Sequence, residues 1–364
     1  MNDELAALLR PELADLSSYV PVDAPGIDVH LDANEAPPHT SPAIRDAVRR
    51  AIERVALERY PDARATRLRA QIAARTGAKP EDLLIGTGSD EVIALLATTL
   101  ARPRPERPQA VVLTPVPTFV MYRVTARAHG LMPVEVPLDQ EWDLDVAMMT
   151  RAIAMMRPNV VYIASPNNPT GNAMSRERLA RILEAASETF VVIDEAYVDY
   201  ASGSLRNWRD TYKNLGILRT VSKIGLAALR VGWLEADGAL VREIDKARQP
   251  FNVSATSLEA VATVLEDAWD EVGAHVASVV RERTRVAAAI GEMAGFEVTP
   301  SDANFVWVKT PRPAGDVVEA LKARGVLVRS FHSLGGRLAN QLRITIGTPQ
   351  ENSRLLEALS SCGA

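Results

Sequence analysis

The feature that most constrains the fold is a regular alternation of short apolar runs and helix-like runs across residues 83–235. Residues 110–114 are typical of a buried strand, 118–129 of a helix, and 175–188 of a further helix after a polar loop. Alternation of this kind implies a mostly parallel sheet whose faces are covered by helices. We therefore predict an α/β fold for this part of the chain.

The C-terminal third has a different pattern. A long helical region spans residues 254–293, with an interruption predicted near Gly273. The runs that follow predict three short strands (305–308, 326–329 and 342–346), a helix (315–324) and a terminal helix that begins near Pro349. This pattern predicts a smaller α+β domain, and a chain of 364 residues is long enough for two domains.

Three segments of the alternating region carry polar groups where strands end. The apolar run 160–164 leads into Ser-Pro-Asn-Asn-Pro-Thr-Gly, which contains Asn168. Such a segment is either a tight loop or a ligand-binding loop, since α/β sheets bind ligands at their carboxyl edge. The run 190–193 ends in Asp194, followed by Glu-Ala-Tyr197. A carboxylate there is a cap, a core ion pair, or the partner of a bound cation.

A glycine turn between a strand and a helix is the third segment. Leu84 and Ile85 precede Gly-Thr-Gly88-Ser89-Asp90, and an apolar helix-like run follows. Bare backbone donors at a helix N-terminus form a cradle for phosphate, although a plain turn with a cap gives the same pattern.

Lys223 is one of only six lysines in the chain, and it lies among small and apolar residues after a strand-like run. It is either an ordinary surface charge or a nucleophilic amine that forms an imine. The three segments favour the second interpretation. A pyridine aldehyde with a phosphate needs a lysine, an anion at its ring nitrogen, donors at its ring oxygen and a phosphate cradle.

These motifs resemble those of the pyridoxal-phosphate-dependent aminotransferases of fold type I. Within them the chain is most similar to the histidinol-phosphate aminotransferases, from about Leu31 to the C-terminus. The resemblance implies a large cofactor-binding domain at residues 42–255, with a mostly parallel sheet. It also implies a small α+β domain formed by residues 1–41 and 256–364, and a homodimer with shared active sites.

The resemblance also implies roles for individual residues. Lys223 would form the imine with pyridoxal 5'-phosphate and move the proton. Asp194 would hold the ring nitrogen protonated, and Tyr197 would act with Asn168 at the ring oxygen. The remaining cofactor contacts implied are Gly88, Ser89, Asp90, the stacking aromatic Phe119, Ser222, Arg230, and Tyr60 from the neighbouring subunit.

Two arginines and one asparagine are the implied substrate contacts. Arg343 and Arg329 would bind the carboxylate of glutamate or 2-oxoglutarate and the phosphate of histidinol phosphate, since one arginine fork suits both anions. Asn34 would face the same site. Relatives often carry an aromatic residue in or just after the segment that contains Asn34, where this chain has Ala36-Pro-Pro-His39. This departure bears on the substrate and not on the cofactor.

The predicted function is therefore amino transfer between histidinol phosphate and 2-oxoglutarate with ping-pong kinetics, in histidine biosynthesis. Two other enzymes remain open on the same scaffold: an aminotransferase for aromatic amino acids and a lyase similar to threonine-phosphate decarboxylase. A cofactor-sensing protein fused to a DNA-binding module is a third alternative, and the short N-terminal extension disfavours it.

Composition excludes several other classes. The net charge of −5, without a basic run, predicts no nucleic-acid partner. The single cysteine, Cys362, fits a reducing cytosol. The histidines lack metal-ligand spacing, and neither a signal peptide nor a membrane-spanning run is predicted. We therefore expect a cytoplasmic enzyme without a metal.

Overall fold

The structure is a computed structural model that describes residues 2–18, 26–39 and 41–362. Its strands are β1 (Val29–Leu31), β2 (Leu83–Gly86), β3 (Val111–Val116), β4 (Met132–Pro137), β5 (Val160–Ala164), β6 (Phe190–Asp194), β7 (Leu215–Thr220), β8 (Gly232–Glu235), β9 (Glu297–Thr299), β10 (Phe305–Lys309), β11 (Val326–Ser330) and β12 (Gln341–Thr345). Its helices are α1 (Asp3–Ala6), α2 (Pro42–Glu53), α3 (Thr66–Thr76), α4 (Gly88–Thr99), α5 (Met121–Ala128), α6 (Val146–Met156), α7 (Arg176–Ala185), α8 (Gly238–Asp245), α9 (Ala255–Asp267), α10 (Trp269–Gly291), α11 (Ala314–Lys322) and α12 (Pro349–Ser360).

The larger sheet has seven strands in the order β2-β8-β7-β6-β5-β3-β4. Strand β8 runs antiparallel to both of its neighbours, and the remaining pairs are parallel. Every residue of β5 is buried, as expected for a strand covered on both faces. The α/β fold with a mostly parallel sheet is confirmed.

The smaller sheet has five strands in the order β1-β11-β12-β10-β9. Strand β1, from the N-terminal part of the chain, pairs in parallel with β11, so that Val29 lies opposite Val326. The second, smaller sheet domain of the predicted fold class is therefore confirmed, and its edge comes from the start of the chain.

The domain boundaries stay a prediction. Residue 256, the predicted start of the second part of the small domain, lies in the first turn of α9. One apolar cluster also includes Ile44 of α2, Val261 of α9 and Leu342 of the smaller sheet, so the core shows no break at this boundary.

Two predicted element boundaries are wrong. The interruption of the long helical region falls at Ala268, whose φ of −138° ends α9, and Gly273 lies inside α10. Acidic residues in the first turn of α10, Asp270 and Glu271, favour a helix start there because they complement its dipole. Helix α5 begins at Met121 and not at Thr118, because the preceding residues form the loop that lines the site described next.

Candidate active site

A cavity of about 820 Å³ lies between the carboxyl ends of the larger sheet's strands and the smaller sheet. The structure brings nearly all of the predicted site residues to its wall. Those lining it are Asn34, Ser89, Asp90, Phe119, Asn168, Asp194, Tyr197, Ser222, Lys223, Arg230, Arg329 and Arg343. Gly88 precedes Ser89 at the start of α4, and Tyr60 is the one predicted residue that lies away from this wall.

Asp194 is a buried anion at the end of β6. Its Oδ2 accepts a hydrogen bond of 2.6 Å from the Tyr122 hydroxyl, and its Oδ1 accepts one of 2.9 Å from the backbone N–H of Ala196. Burial raises the pKa of this carboxyl to about 6, although the two donors oppose the rise. A cation placed beside Asp194 in the cavity would favour its charged form.

Tyr122 is a site residue that the sequence analysis missed. It is buried, it lines the cavity, and its ring stacks on Tyr162 with centroids 4.7 Å apart. Burial and the nearby Asp194 charge raise the pKa of its phenol well above the ordinary value, so it remains a donor. The available signal was its position three residues after Phe119, whose ring meets it edge-on at 5.6 Å.

The loop after β5 presents Asn168 to the cavity because its neighbour Asn167 holds the loop in place. The buried amide of Asn167 donates to the carbonyl of Pro117 and to the Thr170 hydroxyl, and it accepts from Thr118. Tertiary hydrogen bonds thus fix a segment that turn-forming residues alone would leave adaptable.

The N-terminus of α4 forms a cradle for an anion. Gly88 has φ of 75°, and a β-carbon on it would lie 2.7 Å from the Arg230 guanidinium. A β-carbon on Gly232, at the start of β8, would lie 2.5 Å from the backbone nitrogen of Ser89. Because both positions lack a side chain, the Arg230 guanidinium and strand β8 can lie close to the N-terminus of α4. Backbone N–H groups and an arginine at one helix N-terminus are suited to bind phosphate. Arg230 also contacts Asp90, with 3.3 Å between nitrogen and oxygen.

Lys223 lies in a short 3-10 turn, Ser222–Ile224, directly after β7. Its Nζ is 5.8 Å from the centroid of the Tyr197 ring. Its backbone carbonyl accepts a 2.6 Å hydrogen bond from the Tyr200 hydroxyl, which fixes the turn. The amine is thus held beside the aromatic wall of the cavity.

The two predicted substrate arginines lie opposite each other on paired strands, Arg329 on β11 and Arg343 on β12. Arg343 donates from Nη1 to the Asn168 side chain at 2.7 Å and from Nη2 to the carbonyl of Asp32. Arg329 is exposed at the edge of the cavity. The pair places two positive charges on the smaller-sheet side.

Asn34 faces the cavity, and its side chain contacts Tyr197. Its amide Nδ2 donates to the Tyr197 hydroxyl at 2.9 Å, and both residues are buried. The predicted substrate contact of Asn34 stays a prediction, because its amide is engaged with a neighbouring side chain.

Tyr60 lies apart from the cavity wall, 81% exposed, with its ring stacked on Phe251 at 4.6 Å between centroids. A large aromatic pair left in solvent is unusual for a protein surface. The role of Tyr60 in a neighbouring subunit's site stays a prediction.

Comparison with known proteins decides the family. The family model described as "Aminotransferase class I and II" matches residues 27–359. This chain belongs to that aminotransferase family. It is 40% identical to a histidinol-phosphate aminotransferase of Methylibium petroleiphilum, over 98% of this chain and 94% of the relative. It is also 40% identical to one of Paracidovorax citrulli, over 99% of this chain and all of the relative.

A solved histidinol-phosphate aminotransferase from Sinorhizobium meliloti, in complex with pyridoxal 5'-phosphate, has the same fold. It aligns with a TM-score of 0.85 at 24% identity, and the alignment covers 98% of each chain.

The cofactor of this aminotransferase is pyridoxal 5'-phosphate, and the cavity fits it. The glycine-lined cradle suits the phosphate, buried Asp194 suits a protonated ring nitrogen, and Lys223 supplies the amine. Within residues 2–18, 26–39 and 41–362, no cluster of three potential metal ligands occurs. Over the same residues, no helix combines the length and apolar character that a membrane crossing needs.

Proposed function

We propose that this aminotransferase exchanges an amino group between histidinol phosphate and 2-oxoglutarate. The observation that carries the proposal is the pair Arg329 and Arg343, which places two positive charges on the smaller-sheet side of the cavity, with Arg343 held there by Asn168 and the Asp32 carbonyl. A phosphate dianion can occupy both, whereas a carboxylate needs one fork. Relatives that match nearly the whole chain at 40% identity carry the name histidinol-phosphate aminotransferase.

Pyridoxal phosphate, when bound, supplies the electron sink that stabilises a carbanion at the carbon bearing the amino group. Asp194 keeps the ring nitrogen protonated, because a buried carboxylate is stabilised by an adjacent positive charge. Tyr122 holds that carboxylate in place through its 2.6 Å hydrogen bond. Asn168 and Tyr197 line the cavity and would donate hydrogen bonds to the ring oxygen.

Lys223 has two tasks in this proposal. Its amine would attach the bound cofactor, and the same amine, once free, would take up and return the proton of the substrate carbon. The 3-10 turn places the amine in the cavity, beside Tyr197. General acid–base transfer by such a positioned group typically contributes a factor of about 10² to 10⁴ in rate.

We also propose that two copies of the chain form a dimer in which Tyr60 reaches the partner's phosphate cradle. Its exposed ring, stacked on Phe251, is available for that contact. The enzyme is proposed to act in the cytoplasm, as one cysteine and a biosynthetic role suggest.

A three-substrate assay tests the proposal. Purified protein is given histidinol phosphate, phenylalanine or threonine phosphate, each with 2-oxoglutarate, and both glutamate and carbon dioxide are measured. We expect glutamate formation with histidinol phosphate at a kcat/KM at least about a hundredfold above that with phenylalanine, because phenylalanine lacks the phosphate. Equal or faster turnover of phenylalanine would show an aromatic aminotransferase. Carbon dioxide from threonine phosphate would show the lyase.

A further inference from the structure

The hydroxyl of Tyr197 can take only one role in its hydrogen bond with Asn34. It lies 2.9 Å from Nδ2 of Asn34, and an amide NH₂ group can only donate. The Tyr197 oxygen must therefore accept this bond. Its single proton is then left to point elsewhere, and Tyr197 lines the cavity.

Thr345 determines which end of the Asn34 amide faces Tyr197. The hydroxyl oxygen of Thr345 accepts the backbone N–H of Asn34 at 3.0 Å, so its own proton is available for donation. It donates that proton to Oδ1 of Asn34 at 3.2 Å. The amide oxygen is thereby bound on the Thr345 side, and the NH₂ group is turned toward Tyr197. The orientation of the Asn34 amide thus follows from the hydrogen bonds of its neighbours.

The surroundings keep this chain of hydrogen bonds rigid. Asn34, Thr345 and Tyr197 are all buried, at 1%, 2% and 5% exposure. The Asn34 backbone has φ of 56°, a left-handed conformation that asparagine tolerates, and its carbonyl accepts from the Asn304 side chain at 3.1 Å. Burial and these tertiary hydrogen bonds hold the Asn34 amide in one arrangement.

We propose that Thr345 and Asn34 are positioning residues that hold the Tyr197 hydroxyl as a hydrogen-bond donor toward the cavity. The hydroxyl then donates to the ring oxygen of bound pyridoxal phosphate, which rests on the role proposed above for Tyr197. Thr345 lies two residues after Arg343 on β12, so one strand of the smaller sheet serves both the substrate anion and the cofactor.

The expected consequence is a change in how tightly the bound cofactor holds its imine proton. A hydrogen bond donated to the ring oxygen draws charge away from it, and the neighbouring proton is bound less tightly. Loss of the donor therefore raises the pKa at which the cofactor's absorption changes.

The decisive pair of variants is Thr345→Val and Thr345→Ser. Valine matches threonine in shape but lacks the hydroxyl, so the Asn34 amide can turn its oxygen toward Tyr197 and capture the Tyr197 proton. Serine keeps the hydroxyl and serves as the rescue. In an absorption titration of the loaded protein, we expect Thr345→Val to raise the pKa by roughly one unit, as loss of a charge-assisted hydrogen bond would. Thr345→Ser stays close to the wild-type value.

Tyr197→Phe supplies the test of mechanism. In that background Thr345→Val should produce no further shift, because the hydroxyl through which Thr345 acts is gone. An unchanged pKa in Thr345→Val, or an equal shift in the Tyr197→Phe background, overturns the proposal. Asn34→Asp is the alternative variant if Thr345→Val fails to fold, because its carboxylate accepts the Tyr197 proton. If the cofactor's pKa in Asn34→Asp equals the wild-type value, the proposal is also overturned. The titration uses no amine substrate, so a wrong substrate assignment would leave its outcome unaffected.

Discussion

At the scale of single residues, Asp194 is where burial and charge conflict most directly. Its side chain has two protein donors, from Tyr122 and the backbone of Ala196, and within the part of the chain that the structure describes no arginine or lysine bonds to it. The folded protein without its cofactor therefore holds a carboxyl whose charged form is disfavoured, with a pKa of about 6. The cofactor's ring cation would remove that disadvantage.

This conflict predicts a stability difference that depends on pH. The Asp194 carboxyl titrates near 3.8 when unfolded and near 6 in the fold. Between these values the folded state holds the extra proton, so the stability of the cofactor-free protein falls as pH rises. Relative to Asp194→Asn, which does not titrate, the wild type should lose roughly 2 kcal/mol from pH 4 to pH 6. Urea unfolding at several pH values measures this difference, and parallel curves for the two proteins would contradict it.

Arg329 predicts a selective loss of substrate recognition. Arg329→Ala removes one guanidinium from the cavity edge, and a hydrogen bond to a charged group contributes about 1.5–3 kcal/mol. We expect kcat/KM for histidinol phosphate to fall about tenfold to a hundredfold, with a smaller loss for glutamate. Arg324→Ala, an exposed arginine that does not line the cavity, is the control. Equal losses of kcat/KM for histidinol phosphate and for glutamate would show that Arg329 does not bind the phosphate.

Sequence reasoning predicted site residues that lie in recognisable motifs, such as Asn168, Asp194 and Lys223, and the structure brings these three to one cavity. It missed Tyr122 and Thr345 for a physical reason. Their importance lies in contacts with Asp194 and Asn34, and those partners are distant in sequence. No local pattern records a hydrogen bond that only the assembled fold creates.

At the scale of elements, the meeting of β8 and α4 determines the shape of the phosphate cradle. The absence of a side chain at Gly232 lets the strand approach the backbone of Gly88 and Ser89. The strand and the helix N-terminus are thus in contact through bare backbone, which cannot move aside as a side chain could.

Gly232→Ala should therefore weaken cofactor binding. Its methyl group would lie 2.5 Å from the backbone nitrogen of Ser89, so β8 or α4 must shift. We expect the dissociation constant for pyridoxal phosphate, measured by fluorescence, to rise at least about tenfold, the effect of about 1.4 kcal/mol. Gly273→Ala is the matched control. Nothing lies within 4 Å of that position inside α10, so the protein should gain about 0.5–1 kcal/mol of stability with unchanged cofactor affinity. If Gly232→Ala binds pyridoxal phosphate with unchanged affinity, a shift of β8 or α4 does not impair the phosphate cradle.

The same glycine, Gly273, shows why element boundaries were harder to predict than the elements. Local propensity places a break there, but the helix continues and breaks at the buried Ala268 instead. Strand β4 carries Pro133 and Pro137, which disfavour a strand, and its position at the sheet edge makes them tolerable. Tertiary position overrides local preference in both cases.

At the scale of the whole molecule, subunit mixing tests the proposed dimer. Lys223→Ala and Tyr60→Ala proteins are each expected to be inactive or strongly impaired. If Tyr60 serves the partner's site, a mixed dimer contains one site with both defects and one with neither. After random exchange, activity should recover to about a quarter of wild type. Subunit exchange is first verified, for example by native mass spectrometry. If activity then does not recover, Tyr60 acts in the site of its own chain.

The parallel pairing of β1 with β11 has a consequence for synthesis on the ribosome. Val29 emerges early, but its partner Val326 follows only when the chain is almost finished. Until then β1 has no ladder partner, and Asn34 has no Thr345 to bind. The larger sheet can complete its strands sooner, since β2 and β8 both precede residue 236. The turn that carries Lys223 and the glycine-lined start of α4 can therefore form before the smaller-sheet wall of the cavity, which carries Arg329 and Arg343.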